Sequence, residues 1–322
     1  MKTMLLKSLA EKLKLVDIQS PNYANDEVLI KVLTVGLNFA DILLISGRYQ
    51  EKPELPFSPG MEVCGIVHAV GHDVKNFVTG ERVVSFIGVG GLAEFVAASK
   101  YHCFAVPSNI TDEEAASLLV AYGSTELALN YRAHLQPEET LLVLGASGGV
   151  GLSAIEIGKI IGSTVIAVAR GSDKCLKAKE AGADIVLDSQ KINIKTELKL
   201  LGGVDVIYDP VGGDQFQSAL SAARPEARVL PIGFASGSIP LIRANIIMVK
   251  NINIVGFYIG GYKKFKPEVL ADCFNRLLEL CSKKTISPHI SNIFPLSEAN
   301  EALDLIRNRS MTGKVVIRVS NK

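Results

Sequence analysis

The stretch Leu141-Leu142-Val143-Leu144-Gly145-Ala146-Ser147-Gly148-Gly149-Val150-Gly151-Leu152-Ser153-Ala154 decides the fold. Its first four residues are apolar and end at a glycine, as in a strand buried on both faces, and the apolar run onward to Ile161 suits a helix. In such a strand, glycine-rich turn and helix, the backbone can approach a pyrophosphate, whose charge is stabilised by the unpaired N–H groups of the helix's first turn. Two registers of the Gly-x-Gly-x-x-Gly/Ala pattern fit, one starting at Gly149 and ending at Ala154, the other starting at Ala146 and ending at Gly151. The spacing does not choose between them. Ser147, Gly148, Gly149 and Val150 are the expected cofactor contacts.

Downstream the pattern repeats. Strands are predicted over 164–169, 185–187, 204–208, 228–232 and 252–258, with helices over 174–181 and 215–223 between them. This alternation implies right-handed βαβ crossovers and one doubly wound parallel sheet of about six strands. Ligands lie at the carboxyl edge of such a sheet, so the strand ends supply further candidates: Asp209, then Gly233, Phe234 and Ala235, then Phe257 and Tyr258. The second strand runs into Ala169-Arg170-Gly171-Ser172-Asp173-Lys174. No carboxylate ends that strand to hold a ribose 2′-hydroxyl, whereas Arg170 and Lys174 offer charge-assisted donors to a 2′-phosphate. NADPH is therefore predicted over NADH. Asp173 and Asp188 weigh somewhat against this preference.

Upstream, short apolar runs broken by Gly and Pro predict strands over 28–35, 63–70, 82–86, 93–97 and 103–106. Thr111-Asp112-Glu113-Glu114 then reads as an N-cap with acids in the first turn, continuing as helix through Leu119. Beyond residue 263 the chain predicts helices over 267–281 and 297–307 and a strand over 314–319, too little to fold alone. The expectation is an α/β protein whose dinucleotide-binding domain, 122–262, is inserted in a discontinuous β-rich domain of 1–121 and 263–322.

At 322 residues and 48% hydrophobic the chain can bury two cores, and 34 basic against 33 acidic residues leave no basic footprint for nucleic acid. Five scattered cysteines, with no Cys-x-x-Cys, read as free thiols. The first 20 residues carry four lysines and no apolar h-region, and the span 151–169 is interrupted by Glu156, Lys159 and Gly162. A cytoplasmic protein without a membrane helix is expected.

Several motifs coincide in order: Asn38-Phe39-Ala40-Asp41, Gly47-Arg48-Tyr49, Pro56-Phe57-Ser58-Pro59-Gly60-Met61-Glu62-Val63-Cys64-Gly65, Gly145 to Gly151, Asp205-Val206-Ile207-Tyr208-Asp209-Pro210-Val211-Gly212-Gly213, Gly233 to Gly237, Lys250-Asn251 and Gly313-Lys314-Val315-Val316. Together they resemble the medium-chain dehydrogenase/reductase superfamily, in its zinc-independent quinone oxidoreductase, or zeta-crystallin-like, branch. The resemblance implies a GroES-like catalytic domain around a Rossmann domain. Zinc-dependent members carry a Cys where this chain has Asn38 and a His where it has Met61, so no metal is expected. The five histidines offer no ligand pairing on one helix face.

The resemblance places Asn38 near the nicotinamide, Tyr49 near the cofactor or acceptor, and Thr125 beside the nicotinamide as a hydrogen-bonding residue. Asp41 and Glu62 read as structural hydrogen-bonding acids. Without a metal Lewis acid the chemistry suits quinones or conjugated enones, whose delocalised anions need only hydrogen-bond donors. An enoyl thioester reductase shares the hydride chemistry and needs a basic rim, for which Lys263, Lys264 and Lys266 are candidates. A non-enzymatic NADPH-binding role, crystallin-like or RNA-binding, gains no support from the net charge of +1. Relatives imply a homodimer through the last strand of the nucleotide-binding sheet.

Overall fold

A computed structural model describes residues 1–320, which divide into two compact units: Met1–Gly123 with the chain from Tyr262, and Ser124–Gly261.

The unit Ser124–Gly261 holds a parallel sheet of six strands in the spatial order Ile185–Asp188, Thr164–Ala169, Thr140–Val143, Val204–Asp209, Ala223–Pro231 and Asn253–Ile254. Strand order reverses between Thr140–Val143 and Val204–Asp209, the switch point of a Rossmann sheet. Leu142, Ile166, Val168, Val204, Ile207 and Val229 bury one apolar face with Leu198, Phe216 and Leu220 from two covering helices. Each fully buried side chain of this size contributes about 1.5–3 kcal/mol. Helix Gly149–Ile161 ends where Gly162, at φ 100°, turns its N–H back to the carbonyls of Gly158 and Lys159. That left-handed conformation is open to glycine at little cost.

The sixth strand corrects the expectation. It spans two residues, not 252–258: Asn253 pairs with Arg228 and Ile254 with Val229, and Val255 adds one N–H to Val229 O at 2.9 Å. Asn251 in the left-handed region and the exposed Gly256 bracket it, and glycine gives a strand no side chain to pack. Phe257 and Tyr258 therefore do not end a strand; helix Ile259–Phe265 follows them.

In the other unit a seven-stranded sheet has the order Ile290–Pro295, Lys314–Arg318, Glu27–Leu37, Glu62–Val70, Arg82–Phe86 and Cys103–Ala105, with Phe95–Ser99 also on Glu27–Leu37. The tail completes this sheet: Lys314–Arg318 pairs antiparallel to Glu27–Leu37, with Val315 opposite Leu37. Helix Pro267–Ser282 buries Leu270, Cys273, Phe274, Leu277, Leu278 and Cys281 along one stripe, and the Phe274 ring meets Phe86 and Phe104 edge-on at 6.1 and 5.3 Å. Thr111 caps as expected, accepting from Glu114 N, but its helix is the single turn Asp112–Ala115. Sequence periodicity gave no warning of the helix Phe39–Ile45 or of the strands Lys2–Leu5, Lys14–Asp17 and Ile290–Pro295.

Candidate functional site

The glycine-rich turn selects its own register. A Cβ on Gly151 would lie 2.3 Å from Gly145 O and 2.7 Å from Ala146 Cα, so Gly151 is the glycine that lets the helix close on the strand. Close helix–strand packing is the role of the third position, which puts Ala146 in the first. Gly148, extended at φ −81° and ψ 172°, caps the helix without a side chain, and a Cβ there would meet nothing nearer than Gly145 O at 3.7 Å. The helix's first turn thus begins at a residue with room beside it, and the N–H groups of such a turn suit an anion.

At the end of the second strand, Gly171, at φ 86°, caps helix Ser172–Glu180. Its N–H donates to Asp188 Oδ1 at 2.9 Å, and Gln190 N–H donates to the same oxygen at 3.0 Å. These two backbone donors hold the Asp188 carboxyl below its usual range, and Lys191 Nζ stands 3.8 Å from Oδ2. Asp188 is therefore the brace of the turn that carries the exposed Arg170 and the partly exposed Lys174.

Asp209 is also a brace. Fully buried, its carboxylate accepts from Val211 N at 2.7 Å and Gly212 N at 3.0 Å, and burial pushes its pKa up against those bonds. The side chain is turned into its own loop, so it shapes the strand end at which a cofactor contact was expected. Gly233, Phe234 and Ala235 are partly exposed beyond the fifth strand, with Ala235 N–H on Pro210 O at 3.0 Å.

Thr125 is tied to the glycine-rich turn. It is fully buried, with Oγ1 2.6 Å from Ser153 Oγ and 2.9 Å from Tyr208 OH, and Ser153 Oγ donates to Val150 O at 3.0 Å. The hydroxyls form a closed chain behind the glycine-rich turn, and burial pushes the Tyr208 phenol above the range in which it ionises. Thr125 supports the turn from beneath.

In the other unit, Asn38 is the N-cap of helix Phe39–Ile45 and only 9% exposed. Its Nδ2 donates to Glu62 Oε1 at 2.9 Å and to Gly36 O at 3.2 Å, and its Oδ1 accepts from Lys314 Nζ at 2.7 Å. Lys314 also donates to Glu62 Oε1 at 2.8 Å and Leu37 O at 2.9 Å, while Glu62 Oε2 accepts from Val120 N at 3.0 Å. Both charges are buried, Glu62 completely and Lys314 to 4% exposure. Asp41 accepts from the N–H groups of Asn38 and Gly60, both at 2.9 Å, so Asp41 and Glu62 are wired to backbone and to Asn38. Tyr49 is partly exposed and Met61 is buried.

Lys314 is the residue that sequence reasoning missed. The signal was present as a lysine heading the apolar strand Lys-Val-Val-Ile-Arg, where a charge is expensive unless paired. Among the described residues, no group of three or more His, Cys, Asp or Glu is arranged to hold a metal ion.

Residues 24–108 match the profile of the alcohol dehydrogenase GroES-like domain, and residues 149–275 match that of the zinc-binding dehydrogenases. The quinone oxidoreductase-like protein 2 homolog of Nematostella vectensis is 39% identical over 302 residues, covering 92% of this chain and 82% of the relative. The chain belongs to the medium-chain dehydrogenase/reductase superfamily, in its zinc-independent quinone-oxidoreductase-like branch. Among solved members, the quinone oxidoreductase of Thermus thermophilus, also determined in complex with NADPH, is 31% identical, with a TM-score of 0.88 over 99% of this chain and 100% of that one. Mycobacterial Rv1454c complexed with NADPH is 28% identical, with a TM-score of 0.93 over 99% of both chains. The profile matched over residues 149–275 is described as zinc-binding; Asn38 and Met61, the positions that the motif resemblance sets against metal ligands, lie outside it.

Proposed function

We propose that this chain reduces quinones or conjugated enones with NADPH, by hydride transfer and without a metal ion. The observation that carries the reading is the open helix N-terminus at Gly148 combined with Arg170 and Lys174 on the braced turn, in a chain whose metal-motif positions are Asn38 and Met61. Bound NADPH supplies the hydride. Ser147, Gly148, Gly149 and Val150 cradle its pyrophosphate, and Arg170 and Lys174 read its 2′-phosphate. Gly233, Phe234 and Ala235 are its neighbours beyond the fifth strand. Asn38 has both Nδ2 hydrogens in use, so toward a ligand it acts as an acceptor through Oδ1. Tyr49 is the phenol we assign to the acceptor.

Steady-state NADPH oxidation with a panel of ortho- and para-quinones, simple enones and enoyl thioesters tests the reading. Turnover with quinones or enones is expected; turnover confined to thioesters contradicts it.

The same reading includes a cytoplasmic homodimer joined along the Asn253–Ile254 edge. A sheet edge is a pairing template unless covered, and exposed Ile239, Leu241, Met248 and Val249, the last 72% exposed, precede it in the chain. Among the described residues no helix is long and apolar enough to cross a membrane. Light scattering should give twice the 34.5 kDa monomer mass, and Val255→Lys should split the dimer.

A further inference from the structure

In the unit that carries Asn38, two strand ends share one rim. Glu62 is paired with Phe86 across the sheet, and the N–H groups of Ile87 and Gly88 donate to Met61 O at 2.9 and 3.0 Å. The chain leaving the sheet at Phe86 is thus pinned beside Met61 and Glu62, the residue whose carboxylate holds Asn38. Lys263, on helix Ile259–Phe265, lays its ammonium over the Phe86 ring, with Nζ 4.0 Å from the centroid. Gly88 is at φ 92°, and a Cβ built on it would have Lys263 Nζ at 3.4 Å and Glu51 Oε2 at 3.8 Å as its non-neighbour contacts within 4 Å. An ammonium and a carboxylate therefore converge above Gly88, and Glu51 lies two residues past Tyr49 in the chain. Lys264 and Lys266 are exposed, so Lys263 stands apart from the basic rim that the sequence suggested.

We propose that Lys263 is the proton donor of the reaction, delivering its proton to the acceptor oxygen on which negative charge develops; this rests on the reading of the chain as a quinone or enone reductase. Turning a quinone into a hydroquinone takes two electrons and two hydrogens. Both electrons and one hydrogen arrive as the hydride that NADPH gives up in becoming NADP⁺. The second hydrogen arrives as a proton: an Nζ–H bond breaks, an O–H bond forms, and a neutral amine is left beside a neutral product. With an enone the hydride goes to the β-carbon, and the proton goes to the enolate oxygen, giving the enol. Water returns the proton to Nζ when product leaves.

The electrostatics suit that step. Burial pulls the Lys263 pKa down to about 8, with Glu51 opposing it, so the group is protonated at neutral pH yet gives up its proton readily. Burial and the Lys263 charge both pull the His102 pKa down, so the two groups do not compete as cations.

The test uses the full-length protein, with Lys263→Met and Lys263→Arg. Wild-type kcat should fall above about pH 8, the midpoint of Lys263. Lys263→Met should lose about 10²-fold in kcat at neutral pH, with the alkaline decline gone. Lys263→Arg keeps a cation over Phe86 but does not release its proton, and should be as slow. Both variants should bind NADPH as wild type does in a fluorescence titration. Apart from turnover, lysine-selective NMR of the protein without cofactor should show one amine titrating near pH 8 that is missing from Lys263→Met. Wild-type kcat in Lys263→Arg, an alkaline decline surviving in Lys263→Met, or a Lys263 resonance titrating near the ordinary value of about 10.4 overturns the proposal. If Lys263→Met fails to fold, Lys263→Arg and the NMR titration still decide. A wild-type protein that oxidises no NADPH with quinone or enone overturns the reductase reading, and the proton donor with it; that failure is distinct from normal turnover in the variants.

Discussion

The ammonium of Lys314 stands 2.7 Å from the side-chain oxygen of Asn38, and that contact fixes which way the amide faces. A flipped amide would point Nδ2 hydrogens at an ammonium, placing donor against donor. With Oδ1 on the lysine, Nδ2 reaches Glu62 and Gly36, and the three side chains close into a buried ring with charges of both signs. A residue from the last strand thereby sets the hydrogen-bonding sense of a residue 276 positions earlier.

Breaking that ring is expected to be costly. Lys314→Met leaves the fully buried Glu62 with an unpaired charge, a loss of about 3–5 kcal/mol. Adding Glu62→Gln removes the charge and should recover a large part of it. Urea unfolding of the two single variants and the double variant measures the coupling, and strictly additive losses would contradict it.

The acid next to the ring gives a pH dependence with a definite sign. Burial raises the Asp41 pKa from 3.8 to about 6, although the N–H groups of Asn38 and Gly60 and the Lys314 charge pull the other way. The folded state holds the proton more tightly than the unfolded chain, so this contribution is full below about pH 3.8 and is lost as pH rises through about 6. Relative to Asp41→Asn, which cannot ionise, the wild type should lose stability between those pH values and stay level above them. Denaturant titrations across that window check the slope.

Arg170 and Lys174 are expected to set cofactor choice. Replacing both by Ala should weaken NADPH by about 1.5–3 kcal/mol for each cation removed, and leave NADH nearly unchanged. Asp188→Ala should also weaken NADPH, because it frees the Gly171 and Gln190 N–H groups that shape the turn. Fluorescence titration of both cofactors decides; equal affinities in the wild type would sink the idea.

Thr125→Val keeps the shape and removes the hydroxyl shared by Tyr208 and Ser153. A buried phenol without a partner costs about 1–3 kcal/mol, whereas Thr125→Ser, which keeps the oxygen, should stay close to wild type. Thermal unfolding separates the two. A large drop in turnover for Thr125→Val at unchanged stability would place Thr125 in the reaction itself.

The doubly wound sheet was legible because short apolar runs alternate with glycine-bearing turns and helix periods, a pattern with few chain-legal arrangements. Helix Gly149–Ile161 and strand Thr164–Ala169 fall at the predicted bounds for the same reason: glycine ends both turns, and the local chemistry agrees with the tertiary fold. The sixth strand was overextended because its apolar run, Ile252 to Ile259, has a strand's composition, while its pairing depends on how far Ala223–Pro231 reaches alongside it.

The chain's own residues determined the glycine-rich turn, the absence of Cys at position 38 and of His at position 61, and the cations past the second strand, since each is a matter of residue type at short spacing. Tertiary structure alone decided what the charged and polar side chains do. It made Asp188 and Asp209 braces, closed Thr125 into a hydroxyl chain with Tyr208, brought Lys314 to Asn38 and Glu62, and set Lys263 over Phe86. Periodicity reports which residues leave water, but the partner that a buried polar group finds is chosen by strands and helices that meet from distant parts of the chain.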